Sequence, residues 1–133
     1  MSGKVLIADD EAHIRHVLSM KLANAGYEVV TATDGEEALE LCLSERPDLI
    51  CTDCQMPFMD GLELCRQLQQ RDETRAMPVL MLTARGFEIE LNQDATRGIV
   101  DVLSKPFSPR EVLAKVRELI GAPEADEQVR PPH

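Results

Sequence analysis

The chain has 133 residues, a length typical of one globular domain whose core needs neither a metal nor disulfides to be stable. Its formal net charge of -10 and isoelectric point near 4.7 would repel phosphate backbones and anionic lipids. This charge argues against direct binding of nucleic acid or a membrane, so any DNA contact is expected from a partner.

Five short apolar segments, bounded by turn or charged residues and often β-branched, are predicted to be β-strands. They span residues 5–8, 29–32, 49–52, 79–82 and 100–104. Most of them are continuously apolar, which is typical of strands covered on both faces of a parallel sheet, although Asp101 interrupts the last one.

The segments between the strands carry apolar residues at helical spacing and are predicted to be covering helices. The sets are Ile14, Val17, Leu18 and Leu22; Ala38, Leu39, Cys42 and Leu43; Leu62, Cys65 and Leu68; and Val112, Leu113, Val116, Leu119 and Ile120. Asp60-Gly61 and Ser108-Pro109 are typical helix starts. Gly26 and Gly121 can end the first and last helices. The pattern over 86–97 is the least regular, so the fourth of the five βα repeats is expected to have a short or mobile helix.

Residues 1–121 are predicted to form the domain. Residues 122–133 contain three prolines and four charged residues with almost no bulky apolar side chain, which indicates a disordered tail or the start of a linker. The sequence shows no basic leader and no apolar run of membrane-spanning length, so a cytoplasmic protein is expected. In that compartment its cysteines are expected to be reduced thiols: Cys42, Cys51, Cys54 and Cys65.

Polar residues stand at the ends of four predicted strands. Asp9 and Asp10 follow the first strand, Asp53 ends the third, Thr83 ends the fourth and Lys105 follows the fifth. Because the carboxyl ends of parallel strands meet at one edge of a sheet, these five side chains are expected to share a pocket. A single acidic residue after a strand would be read as an ordinary solvated loop residue.

The charges of this pocket predict a divalent metal. Carboxylates about 4 Å apart repel each other by roughly 4 kcal/mol at an effective dielectric near 20, so three of them need a cation between them. Oxygen ligands suit a hard ion, and Mg²⁺ is the natural one for a site that handles phosphate. The Lys105 ammonium and the Thr83 hydroxyl could then bind a phosphoryl group.

Over residues 4–120 the sequence resembles the response-regulator receiver domain, the phospho-acceptor module of two-component signalling. The motifs that carry the resemblance are Asp9-Asp10-Glu11, Pro47-Asp48-Leu49-Ile50 leading to Asp53, Met56-Pro57, Met59-Asp60-Gly61, Leu82-Thr83-Ala84 and Lys105-Pro106-Phe107. The resemblance implies a flavodoxin-like doubly wound (βα)5 fold with a five-stranded parallel sheet in the order 2-1-3-4-5.

The resemblance also implies roles for the pocket residues. Asp53 would be the nucleophile that takes a phosphoryl group from the phosphohistidine of a histidine kinase or phosphotransfer protein. Asp10, Asp53 and the carbonyl of Gln55 would bind Mg²⁺ directly, and Asp9 would act mainly through metal-bound water. Thr83 and Lys105 would bind phosphoryl oxygens, and the peptide bond after Lys105 would be cis.

Such a domain would catalyse its own phosphorylation and dephosphorylation, without being an enzyme for a separate substrate. Phosphorylation would move the loops after the fourth and fifth strands and change the surface offered to a downstream effector protein. Whether it also causes dimerisation stays open. The family usually has an aromatic residue where this chain has Val102, which puts aromatic switching in doubt. Gln55 and Arg85 stand where the family tunes hydrolysis, so the acyl-phosphate lifetime stays open.

Three other functions remain as alternatives. A receiver-like module could signal by docking alone, independently of phosphate. A flavodoxin-like cofactor binder would share the topology, but the acidic pocket and the lack of a Ser/Thr-rich loop after the first strand argue against it. A metal-dependent phosphatase would be expected to have a second Asp two residues after Asp53, where Gln55 stands.

Two further spacings have simpler readings. Cys51 and Cys54 have a zinc-like spacing, but a strand would place them on different sides and no second pair exists. His13 and His16 most simply lie on a solvated helix face, as does the cluster of Glu36, Glu37 and Glu40.

Overall fold

The structure of the protein is a computed structural model that describes residues 3–84 and 97–123. Strands and helices alternate along most of the chain. In order they are β1 (Lys4–Ala8), α1 (Ala12–Asn24), β2 (Glu28–Ala32), α2 (Gly35–Glu45), β3 (Leu49–Asp53), α3 (Gly61–Gln69), β4 (Val79–Thr83), β5 (Ile99–Ser104) and α4 (Pro109–Ile120). The helix predicted over 86–97 falls almost entirely on residues outside the described part of the chain.

The five strands form one parallel sheet in the order β2-β1-β3-β4-β5. This order confirms the predicted doubly wound fold. The strand bounds differ from the prediction by one residue at several ends, and β3 and β4 include Asp53 and Thr83 as their last residues. Asp53 and Thr83 therefore lie at the carboxyl ends of strands and not in loops. The hydrogen bonds between neighbouring strands fix their backbones more firmly than a loop would.

Two apolar clusters lie on opposite faces of the sheet. One packs α2 and α3 against residues such as Leu6, Ile50 and Met81, and the other packs α1 and α4 against Ile7 and Leu80. Alternate residues of a strand point to opposite faces, so a continuously apolar strand supplies both clusters at once. The two clusters thus confirm the prediction, made from the apolar runs in the sequence, that the strands are covered on both faces.

The helix ends follow the chemistry of their capping residues. The side chains of Asp34 and Asp60 accept hydrogen bonds from backbone N–H groups in the first turns of α2 and α3. Ser108 and Glu111 form a reciprocal capping box at the start of α4, with Pro109 as its first residue, as predicted. Gly121 ends α4 with a φ of 80°, a conformation that favours glycine.

The cysteines and histidines lie as predicted, with Cys51 and Cys54 on different sides of the sheet and the histidines on a solvated helix face. Cys51 is buried in the cluster beneath α1 and α4, whereas Cys54 packs against the cluster beneath α2 and α3, so the pair straddles the sheet. All four cysteines are free thiols. His13 and His16 are exposed on α1. Among the described helices, none combines the length and apolarity needed to cross a bilayer.

Candidate functional site

A cleft of about 310 Å³ opens at the carboxyl ends of the strands. Its lining consists of Asp10, Glu11, Asp53, Gln55, Thr83, Ala84 and Lys105. Asp9, the remaining residue of the predicted set, is completely buried beside them and faces Lys105. The structure therefore brings together all the side chains that the sequence placed at strand ends, and it adds Glu11 and Ala84 to the lining.

Three carboxylates converge in this cleft. Oxygen atoms of Asp9, Asp10 and Asp53 all lie within 4.8 Å of one another, and Asp10 is exposed while the other two are buried. Within the described part of the chain, the buried carboxylate oxygen Asp9 Oδ2 accepts no hydrogen bond, and the Lys105 ammonium lies 3.7 Å from it. Buried oxygens normally have partners, so an orphaned carboxylate oxygen next to two more carboxylates fits a hard divalent cation such as Mg²⁺.

Lys105 supplies the cation that the structure places in contact with this cluster. Its ammonium nitrogen lies 3.4 Å from Asp53 Oδ1 and 3.7 Å from Asp9 Oδ2. The Lys105 N–H donates to the Thr83 carbonyl at 2.8 Å, which fixes the Lys105 backbone beside the end of β4. The Lys105–Pro106 peptide bond is cis, as the resemblance implies. Burial opposes charge on Lys105, but the Asp53 and Asp9 carboxylates outweigh burial and raise its pKa.

Burial dominates the electrostatics of the acidic residues. It raises the pKa of Asp53, and this effect exceeds the opposing contributions of Lys105 and of the backbone N–H groups of Gln55 and Cys54. Burial also raises the pKa of Asp9, with repulsion from Asp53 adding to it and a 2.9 Å hydrogen bond from the Glu11 N–H opposing it. The ionised forms of both carboxyls are thus disfavoured unless further positive charge enters the cleft.

Two glycines let the loop after β3 fold tightly under the cleft. A Cβ on Gly61 would lie 2.4 Å from the Asp53 carbonyl oxygen, and a Cβ on Gly35 would lie 2.1 Å from the Met59 carbonyl oxygen. The Gly61 N–H also donates to the Cys54 carbonyl at 2.8 Å. The Asp60-Gly61 pair was read from sequence only as a helix start, whereas its glycine also allows α3 to approach the backbone of Asp53.

Comparison with known proteins agrees with this geometry. The family model described as the response regulator receiver domain matches residues 5–117. The chain belongs to the receiver-domain family. Receiver domains are signalling domains of two-component systems, so the earlier resemblance is confirmed.

Individual relatives of this receiver domain come from several bacteria. It is 44% identical over 120 residues to the alkaline phosphatase synthesis transcriptional regulatory protein PhoP of Bacillus subtilis, covering 90% of this chain and 49% of that protein. It is 34% identical to the chemotaxis response regulator CheY4 of Vibrio cholerae, with a TM-score of 0.80 over 90% of this chain and all (100%) of that one. The chain spans about half the length of the curated relatives it matches.

A third relative was solved with a metal. The receiver domain of the sensor histidine kinase PA1611 of Pseudomonas aeruginosa carries a magnesium ion coordinated in its active-site cleft. It is 27% identical to this receiver domain, with a TM-score of 0.79 over 92% of this chain and 100% of that one.

One contact in this receiver domain has no counterpart in the sequence reading. Burial raises the pKa of the Cys54 thiol, which directly follows Asp53, and a hydrogen bond with the Thr83 side chain opposes this rise. Besides packing against the cluster beneath α2 and α3, Cys54 is therefore influenced by a residue that lines the cleft. A cysteine beside a predicted acceptor Asp was the available signal.

The other sequence features lie away from the cleft. Val102, which stands where the family usually has an aromatic residue, is half-buried against the cluster beneath α2 and α3. The glutamates of the acidic cluster on α2 are exposed, as expected for a solvated face: Glu36, Glu37 and Glu40. Arg85 lies outside the described residues.

Proposed function

We propose that residues 1–121 form a receiver domain that accepts a phosphoryl group on Asp53 from the phosphohistidine of a histidine kinase or phosphotransfer protein. The observation that carries this proposal is the placement of Asp53, whose buried carboxylate contacts Lys105 and opens into a cleft shared with Asp10 and Thr83. Family membership supports it, because receiver domains have this signalling role.

The transfer is a substitution at phosphorus. A carboxylate oxygen of Asp53 forms the new O–P bond, the P–N bond of the phosphohistidine breaks, and the imidazole leaves with the electron pair. The Lys105 ammonium and the backbone N–H groups of Gln55 and Cys54 oppose the effect of burial, which disfavours the ionised form of Asp53, and they hold its carboxyl group in place for the attack. Lys105 and the Thr83 hydroxyl then bind oxygens of the transferred group, where they balance its charge.

The acidic cluster fits Mg²⁺, for which we assign Asp10, Asp53 and the backbone carbonyl of Gln55 as direct ligands. Asp9 would contribute to the metal site mainly through bound water. When bound, the metal neutralises negative charge on the transferring oxygens. The orphaned Asp9 oxygen and the convergence of three carboxylates support this assignment.

The bound phosphoryl group couples the site to the surface. Thr83 ends β4 and Lys105 directly follows β5, so their movement toward a phosphoryl group displaces the loops after both strands. A changed loop surface is what a downstream effector protein, or a second copy of the chain in a dimer, would recognise. Val102 has no aromatic ring whose rotamer could report the position of Thr83, so switching in this chain proceeds through those loops.

Several wider features belong to the same proposal. We place the end of the domain at residue 121 and assign 122–133 as a tail or the start of a linker; residues 124–133 lie outside the described part of the chain. The domain catalyses its own phosphorylation and dephosphorylation, works in the cytoplasm, and contacts no nucleic acid itself. The role of PhoP as a transcriptional regulatory protein supports an output that controls transcription.

Phosphorylation can be tested with Mg²⁺ and acetyl phosphate, followed by mass-spectrometric mapping of the modified residue. We expect a single acyl phosphate at Asp53 that requires Mg²⁺ and is absent from Asp53→Asn. Asp72→Asn is the matched control, because the Asp72 side chain is 93% exposed and lies outside the cleft. Modification of another residue with Asp53 intact would refute the proposal.

A further inference from the structure

A second cavity, of about 710 Å³, lies at the amino ends of β4 and β5, away from the cleft at their carboxyl ends. We call it the arginine cavity, because three arginines and two glutamines line it: Arg66, Gln69, Gln70, Arg75 and Arg97. Its volume is within the range of about 300–1,000 Å³ that is typical of small-molecule sites. In a chain with a formal net charge of -10, three guanidinium groups around one cavity indicate an anionic ligand.

The connection between α3 and β4 fixes the backbone of Arg75. Thr74, one residue earlier, is completely buried, and its hydroxyl donates to the Leu68 carbonyl at 2.7 Å. The Arg75 N–H donates to the Arg71 carbonyl at 2.9 Å, which closes the turn. Because this turn is held by its own hydrogen bonds, little backbone entropy is lost when a ligand binds to it.

Gln69 joins the two walls of the arginine cavity. Its side-chain nitrogen donates to the Arg75 carbonyl at 3.0 Å. A Cβ on Gly98 would lie 2.8 Å from the same nitrogen, so the glycine leaves the room that the amide occupies beside the segment before β5. A carboxamide nitrogen has two N–H groups, and the second one can donate to a ligand. The amide is thus placed by α3, the turn before β4 and the segment before β5 together.

Two carboxylates orient guanidinium groups of the arginine cavity without saturating them. Nε and Nη2 of Arg66 both donate to one oxygen of Glu63, with a distance of 3.1 Å from Nε. Nη2 of Arg75 lies 3.1 Å from Asp72 Oδ1, and the Asp72 side chain is 93% exposed. A guanidinium carries five N–H groups, so each of these arginines can also bind a second acceptor. Ion pairs exposed to water contribute little stability, so an anion can displace Asp72 at small cost.

We propose that the arginine cavity binds a small polyphosphate, a ligand with at least two linked phosphate groups. The guanidinium fork matches the geometry of phosphate oxygens and binds them in bidentate fashion. A single phosphate ion would reach only part of a cavity of about 710 Å³, whereas linked phosphates can contact arginines on α3 and on the turn before β4 at the same time. The site is separate from the cleft, so the inference does not depend on whether Asp53 accepts a phosphoryl group.

The first test is a titration with sodium tripolyphosphate in Mg²⁺-free buffer of low ionic strength, followed by ¹H–¹⁵N NMR of the side chains. We expect saturable shifts of the Nε–H signals of Arg66 and Arg75 and of the Gln69 amide. The Gln55 amide is the internal control and should not shift, because Gln55 lines the cleft, where carboxylates repel anions when no metal is bound. Citrate, a compact anion without phosphate, should bind more weakly.

The second test compares two substitutions that remove the same charge. Arg75→Gln should raise the dissociation constant of tripolyphosphate about five- to tenfold, since it removes a charge-assisted bidentate contact. Arg110→Gln is the matched control, because Arg110 is exposed and lines a different groove between α1 and α4. Its dissociation constant should stay within about twofold of the wild-type value, since salt screens distant charges.

Gly98→Ala tests whether the site depends on its geometry as well as on its charge. The variant keeps every charge, and its Cβ displaces the Gln69 amide from the Arg75 carbonyl. We expect the dissociation constant to rise about two- to fivefold, the ratio that corresponds to a hydrogen bond of modest net strength. Thermal unfolding checks that each variant is folded at the temperature of the titration.

Three outcomes would overturn the proposal. One is the absence of saturable binding to wild type at millimolar concentrations. Another is an equal loss of affinity in Arg75→Gln and Arg110→Gln, which would indicate attraction by charge alone. The third is citrate that binds as tightly as tripolyphosphate, which would remove the preference for phosphate. A failure of the proposed function is separate, because it would appear in the mapping of Asp53 with acetyl phosphate and leave these titrations unchanged.

Discussion

The Lys105 ammonium lies 3.4 Å from the carboxylate of Asp53 and 3.7 Å from that of Asp9, so one side chain balances two buried negative charges. Any cation that enters the cleft adds to this balance. The stability of the domain and the charge of its cleft should therefore depend on each other.

Lys105→Met should destabilise the domain chiefly when Mg²⁺ is absent. Removal of one partner leaves two buried carboxylates without compensation, and we expect a loss of about 1–3 kcal/mol in the free energy of unfolding, below the value for a fully buried pair. Mg²⁺ should restore part of this loss, while formation of the acyl phosphate falls at least about tenfold. Denaturant unfolding with and without Mg²⁺ measures the first effect.

Lys115→Met is the control for Lys105→Met. It breaks an ion pair of 2.6 Å between Lys115 on α4 and Asp101 on β5, neither of which lines the cleft. Its effect on unfolding should be small and independent of Mg²⁺. Equal losses with and without Mg²⁺ in Lys105→Met would contradict a shared charge balance.

The Mg²⁺-free protein should show a characteristic pH dependence. Because burial raises the pKa values of Asp53 and Asp9, the folded state binds more protons than the unfolded chain above the ordinary carboxyl pKa near 4. Their contribution to stability is thus fully present below that pH and is lost as pH rises through the raised values.

This dependence can be isolated with Asp9→Asn. The variant should flatten the fall in Mg²⁺-free stability with rising pH, measured by denaturant unfolding at a series of pH values. In wild type, Mg²⁺ should bind more weakly as pH falls through the same window, because protons and metal compete for the same oxygens. An unchanged slope in Asp9→Asn would argue against the burial of its charge as the cause.

Gly61→Ala should cost about 1–3 kcal/mol of stability, the usual range for steric overpacking. The added Cβ would meet the Asp53 carbonyl oxygen at 2.4 Å, and backbone atoms cannot turn aside as a side chain can. Gly98→Ala offers a matched comparison, because its Cβ would meet the flexible end of Gln69 at 2.8 Å. If thermal unfolding shows similar losses for both variants, the close approach is not the reason for Gly61.

The four thiols should differ sharply in reactivity. Burial raises the pKa values of Cys42, Cys51 and Cys65 to about 12, so at pH 8 their thiolate fraction is about one in ten thousand. With Ellman's reagent we expect one thiol, Cys54, to react first in the folded protein and all four to react in denaturant. Cys54→Ser should remove the first phase, and a fast phase that survives in that variant would disprove the assignment.

Much of the fold was predictable because it depends on local patterns. Continuous apolar runs identified the strands, and Asp60 and Ser108 identified two helix starts through capping chemistry. The convergence of Asp53 with Lys105 followed from one general rule about parallel sheets. These inferences needed no distance between remote atoms.

The remaining features depend on tertiary contacts that no local pattern encodes. The approach of Gly61 to the Asp53 carbonyl and the effect of Thr83 on the pKa of Cys54 both require the relative placement of β3, β4 and α3. The left-handed conformation of Arg46, with φ of 50° at the end of α2, also departs from the preference for glycine there. The residues that converge at the cleft were therefore predictable from the sequence, whereas the tertiary contacts that fix their positions were not.

The far end of the sheet also matters for how a signal would leave the domain. The Tyr27 hydroxyl donates a hydrogen bond to the Gly121 carbonyl at the end of α4, and a Cβ on Gly3, just before β1, would lie 3.6 Å from Pro123. The backbone after α4 thus lies beside the amino ends of the strands, whereas Asp53 stands at a carboxyl end, one strand length away. If Asp53 is phosphorylated as proposed, the change would reach the backbone after α4 only through the sheet and its helices, whereas a protein bound beside the cleft would contact the modified site directly.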